Sequence, residues 1–130
     1  MNIEVVQFPK ILDLRGNLTF LQNPDQIPFE IKRVFWTYDV PGGEKRGGHA
    51  YKTQQEIIIA LSGSFDVIIS KKDGGEKKIS LNRAYSGVYI PAKVWRHMEN
   101  FSTNSLALHI SDSVYDEGDY VLDKNRLDIE

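Results

Sequence analysis

Short apolar runs, each cut off by a turn signal, follow one another through the chain. Ile31–Tyr38, Glu56–Leu61, Ser64–Ser70, Lys77–Leu81, Gly87–Ile90 and Ser105–Ser111 are rich in Val, Ile, Phe and Tyr. Pro41-Gly42-Gly43, Ser62-Gly63-Ser64, Asp73-Gly74-Gly75 and Asn82-Arg83 punctuate them. A further strand is expected around Ile3–Phe8. Phe65, Val67 and Ile69 fall on one face of their strand and Asp66 and Ile68 on the other. Lys71 to Lys78 reads as a charged, solvated hairpin tip. Helix-compatible composition is confined to Tyr115–Asp128, where its periodicity is weak. Many short strands at a spacing of about 8–12 residues predict an all-β sandwich or barrel with a short helical or irregular C-terminus. Ile57 to Leu61 is apolar on both faces, so one face fills the barrel and the other needs a cover. A second subunit is the economical cover, and a homodimer is expected, its N-terminal strand a candidate for exchange between subunits.

Length and composition narrow the picture. A chain of 130 residues reads as one domain, 1–130, because chains usually divide only beyond roughly 250 residues. The absence of cysteine excludes disulfide scaffolds, thiol nucleophiles and thiolate metal centres. Sixteen basic against 18 acidic residues argue against non-specific nucleic-acid binding, while leaving room for a local basic pocket that takes a small anion. The opening Met1-Asn2-Ile3-Glu4 lacks a basic stretch followed by an apolar one. The longest apolar run, Ile57 to Leu61, falls far short of the roughly 20 residues that span a bilayer. A cytoplasmic protein without a membrane partner is expected.

One spacing carries chemistry. Gly43, His49, Tyr51, Glu56 and Gly63 are similar to the first cupin motif, G-(x)5-H-x-H-(x)3–4-E-(x)6-G, with Tyr51 at the second histidine. Pro91, Arg96 and Asn100 partly match the second motif, with Arg96 at its histidine and His97 one residue out of register. A cupin metal needs histidines and a carboxylate at these places. A guanidinium cannot ligate a cation, and its charge repels one. No metal and no other cofactor is expected.

Six pieces, in order, resemble the cupin-type sugar-nucleotide 3,4-ketoisomerases, which act on dTDP-4-keto-6-deoxyglucose. They are Ile11–Leu18, Ile27–Trp36, Arg46–Lys52, Gly87–Pro91 with Val94-Trp95, Tyr115–Glu117 and Asp119-Tyr120. The resemblance implies a jelly-roll barrel and a carbonyl shift from carbon 4 to carbon 3 through an enediol. It also implies site roles. His49 stands at the family's acid–base histidine. Tyr51 replaces a second histidine that takes part in proton transfer, and on a strand it faces the same way as His49. A phenol donates well but is a poor base near neutrality. Arg33 and Arg46 resemble arginines that meet the nucleotide diphosphate, a pairing that guanidinium geometry favours, and Lys52 adds a point charge. Arg15 and Arg96 occupy positions that vary among relatives and bear on stereochemistry. Trp95 and Tyr89 are candidates for stacking on a ring of the substrate.

Three questions stay open at this level. Strand alternation alone does not say whether Gln55 or Glu56 faces the pocket. His97 and His109 have no motif support and read as surface or network histidines. Two other functions compete with the isomerase: a non-catalytic cupin that binds a nucleotide sugar, and a related 3,5-epimerase.

Overall fold

The computed structural model describes residues 2–126. Twelve strands make up the fold: β1 (Glu4–Gln7), β2 (Lys10–Ile11), β3 (Leu18–Thr19), β4 (Arg33–Tyr38), β5 (Arg46–Tyr51), β6 (Glu56–Ser62), β7 (Phe65–Ser70), β8 (Glu76–Leu81), β9 (Ser86–Ile90), β10 (Arg96–Glu99), β11 (Leu106–Ser111) and β12 (Tyr120–Val121). Two antiparallel five-stranded sheets, ordered β1-β9-β6-β11-β4 and β12-β5-β10-β7-β8, pack face to face, and β2 and β3 form a separate hairpin. This is the jelly-roll form of the cupin fold, in agreement with the all-β expectation. The stretch from Tyr115 onward forms single 3₁₀ turns at Glu117–Asp119 and Lys124–Arg126 around the short strand β12. Residues 127 and 128 of the helix-compatible stretch lie outside the described residues.

Period-two alternation sorts the side chains. Ile58 and Ala60 on β6, Phe65, Val67 and Ile69 on β7, Ile79 and Leu81 on β8, Val88 and Ile90 on β9, Met98 on β10 and Ala107 on β11 fill the space between the sheets. Each of these side chains larger than alanine stabilises the fold by about 1.5–3 kcal/mol when fully buried. Gly63 closes the β6–β7 hairpin at φ +67°, and a Cβ there would meet Ser102 Oγ at 2.5 Å and Ser105 Cα at 2.8 Å. Only glycine fits that turn.

The apolar outer face of the first sheet is covered in part by the chain itself. Phe8, Ile27 and Phe29 pack onto Ile57, Ile59, Tyr89 and Ile110, with Val6, Leu21 and Leu108 around them. Self-cover therefore accounts for much of the outer face over β6 and β9. Leu61 of β6 stays exposed, as do Val34, Trp36 and Tyr38 of the edge strand β4, which point outward and are 47%, 58% and 60% exposed. Within the chain, β1 pairs with its own β9, Glu4 opposite Tyr89. Among the described residues no helix is long and apolar enough to cross a membrane.

The hydrophobic core fills one end of the barrel only. Toward the other end the inward positions turn polar: Arg33 on β4, His49 and Tyr51 on β5, Glu56 on β6, Arg96 on β10, His109 and Ser111 on β11. Arg96, Glu56, Ser111 and His109 are all buried there.

Candidate active site

Register places the polar side chains. On the second sheet Arg96 of β10 lies directly opposite His49 of β5, and Tyr120 of β12 lies opposite Tyr51. On the first sheet Ser111 sits between Glu56 and Arg33. The two sets face each other across the barrel and line a cup. Gly47, at φ +73°, lets β5 pass close to the cup floor, since a Cβ would meet Met98 Cε at 3.3 Å and His49 Cε1 at 3.8 Å.

His49 is packed by rings on two sides, with Tyr51 at 4.7 Å edge-on and Tyr120 at 5.1 Å. Its Nε2 is buried and has no hydrogen-bond partner within the chain. Burial, reinforced by the Arg96 charge and opposed by Glu56, lowers the His49 pKa to about 4. The imidazole is therefore neutral at physiological pH and keeps an unpartnered ring nitrogen.

Tyr51 is fully buried. Arg33 Nη2 donates to Tyr51 OH and to Tyr120 OH, both at 3.4 Å, and the two phenols are 3.3 Å apart. The same nitrogen donates to Gln54 Oε1 at 3.0 Å. Burial first, then the nearby Glu56 carboxylate, push the Tyr51 phenol far above its ordinary range. In the resting site it is protonated and can present that proton to a substrate oxygen.

Below these groups lies an ion pair. Arg96 Nη2 meets Glu56 Oε1 at 2.5 Å, with side chains 2% and 1% exposed. The Arg96 guanidinium also lies 4.6 Å from the centre of the Tyr51 ring, and its Nη1 donates to Val94 O. Burial alone would raise the Glu56 pKa, but the Arg96 charge outweighs it and, with His109, holds the carboxyl at about 2. Glu56 is thus the inward residue. Gln55 turns outward, where it donates to Asp112 and accepts from the Tyr89 hydroxyl. That bond places Tyr89 outside the cup.

The cupin metal does not fit this donor set. The Arg96 guanidinium stands at the motif's third-histidine position and already neutralises the Glu56 carboxylate. Among the described residues no group of three or more His, Asp or Glu could hold a metal ion.

The other sequence-predicted residues are spread more widely. Arg46 borders a surface depression with Trp36, Thr37, Tyr38 and Pro41. Lys52 borders another with Tyr120, Val121 and Leu122. Tyr120 belongs to both the cup and the second depression, so Lys52 stands near the cup, whereas Arg46 lies opposite the core residue Met98, toward the apolar end of the barrel. Arg15 lies on the turn between β2 and β3, 90% exposed and paired with Asp13 at 2.9 Å, away from the cup of its own chain. Trp95 is partly buried next to Arg96 and is not one of the rings around His49. His97 faces the outside of β10 and contacts Glu99 at 2.6 Å; His109 is buried in the cup.

Three participants escaped the sequence reading. Gln54 accepts from Arg33 and from Ser111 at 2.7 Å. Asp119 anchors the loop after β5 by accepting from Thr53 N, Thr53 Oγ1 and both nitrogens of Gln54. These bonds outweigh the effect of burial and lower the Asp119 pKa. Tyr120 completes the phenol pair. The Asp119-Tyr120 piece of the family resemblance was the only signal for the last two.

Fold and site together define a class: a cupin whose cup holds acid–base side chains and fixed cations in place of a metal. Residues 1–128 match the family described as FdtA, WxcM-like, C-terminal, and the chain belongs to that family. It is 37% identical over 122 residues, 93% of this chain and 86% of the relative, to the TDP-4-oxo-6-deoxy-alpha-D-glucose-3,4-oxoisomerase of Aneurinibacillus thermoaerophilus. Among solved structures, the QdtA 3,4-ketoisomerase from Thermoanaerobacterium thermosaccharolyticum in complex with TDP superposes with a TM-score of 0.92 at 35% identity, over 95% of this chain and 90% of that one. WlaRB, a TDP-quinovose 3,4-ketoisomerase from Campylobacter jejuni, gives 0.88 at 36% identity, over 95% of each chain.

Proposed function

We infer that the protein is a sugar-nucleotide 3,4-ketoisomerase, converting dTDP-4-keto-6-deoxyglucose to a dTDP-3-keto-6-deoxyhexose without metal or cofactor. The observation that carries this reading is the neutral, unpartnered His49 Nε2 beside a protonated Tyr51 in a cup closed by fixed cations. In the reading, His49 Nε2 takes the proton from carbon 3. The electrons of that C–H bond form the C3–C4 double bond, and the carbonyl oxygen on carbon 4 takes the Tyr51 proton, giving the enediol. Collapse returns the carbon 3 hydroxyl proton to Tyr51 and moves the His49 proton to carbon 4. Base and phenol end as they began, so no co-reactant is consumed. Acid–base groups placed this way contribute about 10² to 10⁴-fold, and the fixed dipoles and charges around the enediol add to it.

Arg33, with its Nε buried and unpartnered, and Lys52 near the cup supply charge for the diphosphate, and Arg46 remains a diphosphate-binding candidate through the family resemblance. Arg15 has no cup residue as a neighbour in its own chain and remains a substrate-binding candidate through the family resemblance. Arg96 acts beneath the substrate, and Trp95 at the edge. The zero cysteine count fits a reducing, cytoplasmic setting.

Incubation of the protein with dTDP-4-keto-6-deoxyglucose, followed by proton NMR, is expected to show the 3-keto product and, in deuterium oxide, exchange of the migrating hydrogen. Nucleotide-sugar binding with neither exchange nor product would leave a non-catalytic cupin.

The exposed face of β4, with Leu12, Leu14 and Leu18 of the β2–β3 hairpin also exposed, supports a homodimer. An open edge strand with apolar side chains is an association surface. Light scattering at micromolar concentration is expected to report the dimer mass, and a monomer would remove that assignment.

A further inference from the structure

His109 is a buried titratable side chain that the proton transfer above does not use. The strand register puts it between Ile58 and Phe35, one inward row from Glu56 on the neighbouring strand. That is the diagonal relation across which longer side chains meet. His109 Nδ1 lies 3.6 Å from Glu56 Oε2, and Nε2 lies 3.2 Å from Thr37 Oγ1. The ring is stacked on Phe35 at 4.4 Å and 4°, so it has little freedom to turn. Glu56 Oε2 and His109 Nδ1 are both buried without a hydrogen-bond partner and face each other at ion-pair distance, while Glu56 Oε1 takes Arg96. A continuous path therefore runs from Thr37 through His109, Glu56 and Arg96 to the Tyr51 ring.

For a neutral ring the donor inventory favours one tautomer. An ionised carboxylate only accepts, whereas a threonine hydroxyl can donate. With the proton on Nδ1, the ring turns its donor toward Glu56 Oε2 and accepts from Thr37. With the proton on Nε2, a lone pair faces the carboxylate and two buried acceptors are left unpaired, which is costly.

Resting on the ketoisomerase reading, we propose that His109 is a positioning residue for the proton transfer. As the Nδ1-protonated tautomer it fixes Glu56, and Glu56 fixes the Arg96 guanidinium against Tyr51 and beside His49. The charged and titratable groups facing His49 come from six strands: Arg33 on β4, Tyr51 on β5, Glu56 on β6, Arg96 on β10, His109 on β11 and Tyr120 on β12. Loss of the His109 donor leaves the Glu56 charge less compensated. Since Glu56 raises the His49 pKa and Arg96 lowers it, the base shifts upward.

Two measurements test this. In the nitrogen-15 spectrum of the wild-type imidazoles, the His109 ring is expected to carry its proton on Nδ1; a proton on Nε2 overturns the proposal. In kinetics, His109→Phe keeps a ring on Phe35 and removes both nitrogens, while His109→Asn restores a donor at the place of Nδ1. The phenylalanine variant is expected to lose about ten-fold or more in kcat, a barrier change of about 1.4 kcal/mol. The acid limb of its kcat/KM profile moves to higher pH while dTDP affinity stays within about two-fold, the precision to which one such interaction is resolved. The asparagine variant regains most of the rate and the original limb. Equal losses in both variants with an unmoved pH profile would mean packing alone and overturn the proposal, as would a phenylalanine variant with wild-type kinetics. Should that variant not fold, Thr37→Val removes the hydroxyl donor, and a wild-type pH profile with an unchanged tautomer overturns it equally. Wild-type protein without turnover overturns the ketoisomerase reading itself, a result distinguishable from all of these.

Discussion

Replacing His49 by Asn is expected to abolish proton exchange at carbon 3, a loss of about 10² to 10⁴-fold or more in kcat, with dTDP affinity nearly unchanged. Asparagine keeps a polar side chain of moderate size between Tyr51 and Tyr120 but offers no group that accepts and then returns a proton. In wild-type enzyme the same residue sets a measurable limb. Its pKa of about 4 lies below the ordinary histidine value because burial and the Arg96 charge both disfavour the imidazolium. The base is active when neutral, so kcat/KM should be flat through the neutral range and fall only as pH drops through about 4. Glu56, held at about 2, does not titrate in that window. Tyr51, displaced upward, does not ionise on the alkaline side of the working range. An acid limb near the usual histidine value of about 6.5 would show that His49 is not the base or is solvated in the working enzyme.

The fold was legible because most of its strands are made of Val, Ile and Phe. β6, β7, β9 and β11 coincide with apolar runs to within a residue at either end. The strands that carry the chemistry were not legible as strands. Arg46-Gly47-Gly48-His49-Ala50-Tyr51 and Arg96-His97-Met98-Glu99 have the composition of exposed loops, since a polar cup inverts the rule that inward positions are apolar. Motif spacing found His49, Tyr51 and Arg96 where hydrophobic pattern was silent. The Glu56–Arg96 pair joins residues 40 apart and lies on different sheets, so no local pattern announces it. The same holds for His109, one of three histidines, whose partners come from β4 and β6. Gln55 against Glu56 was a question of phase: Ile58 and Ala60 point inward, and counting back by twos selects Glu56.

The partial self-cover of the first sheet was also invisible in one dimension. Phe8 ends the expected N-terminal strand, Ile27 and Phe29 belong to a stretch with no strand periodicity, and only the folded chain brings all three over Ile57 and Ile59. This leaves the apolar stripe of β4, with Leu61 and the leucines of the β2–β3 hairpin, as the exposed apolar surface, a smaller one than the sequence alone implied.

The second large effect is expected at Tyr51, where this chain departs from its family. Tyr51→Phe keeps the ring, its edge contact with His49 and its face toward Arg96, and removes only the hydroxyl. The phenol is the group nearest His49 that can give a proton to one oxygen and regain it from the other. Its loss should therefore lower kcat by about 10²-fold, the low end of acid–base catalysis, and change dTDP affinity little. Arg33 keeps Gln54 and Tyr120 as partners, so the variant strands no buried charge and should remain folded. Tyr51→His tests the complementary point. An imidazole both accepts and donates near neutrality, and the variant is expected to match or exceed the wild-type rate. Solvent deuterium incorporation separates the steps. If Tyr51→Phe still exchanges the carbon 3 proton but forms product slowly, the phenol serves the oxygen-to-oxygen relay. If exchange and product fall together, it is needed to form the enediol at all. A Tyr51→Phe enzyme with the full wild-type rate would make the residue packing and leave His49 to act with another donor of the cup, Tyr120 being the one within its ring contacts.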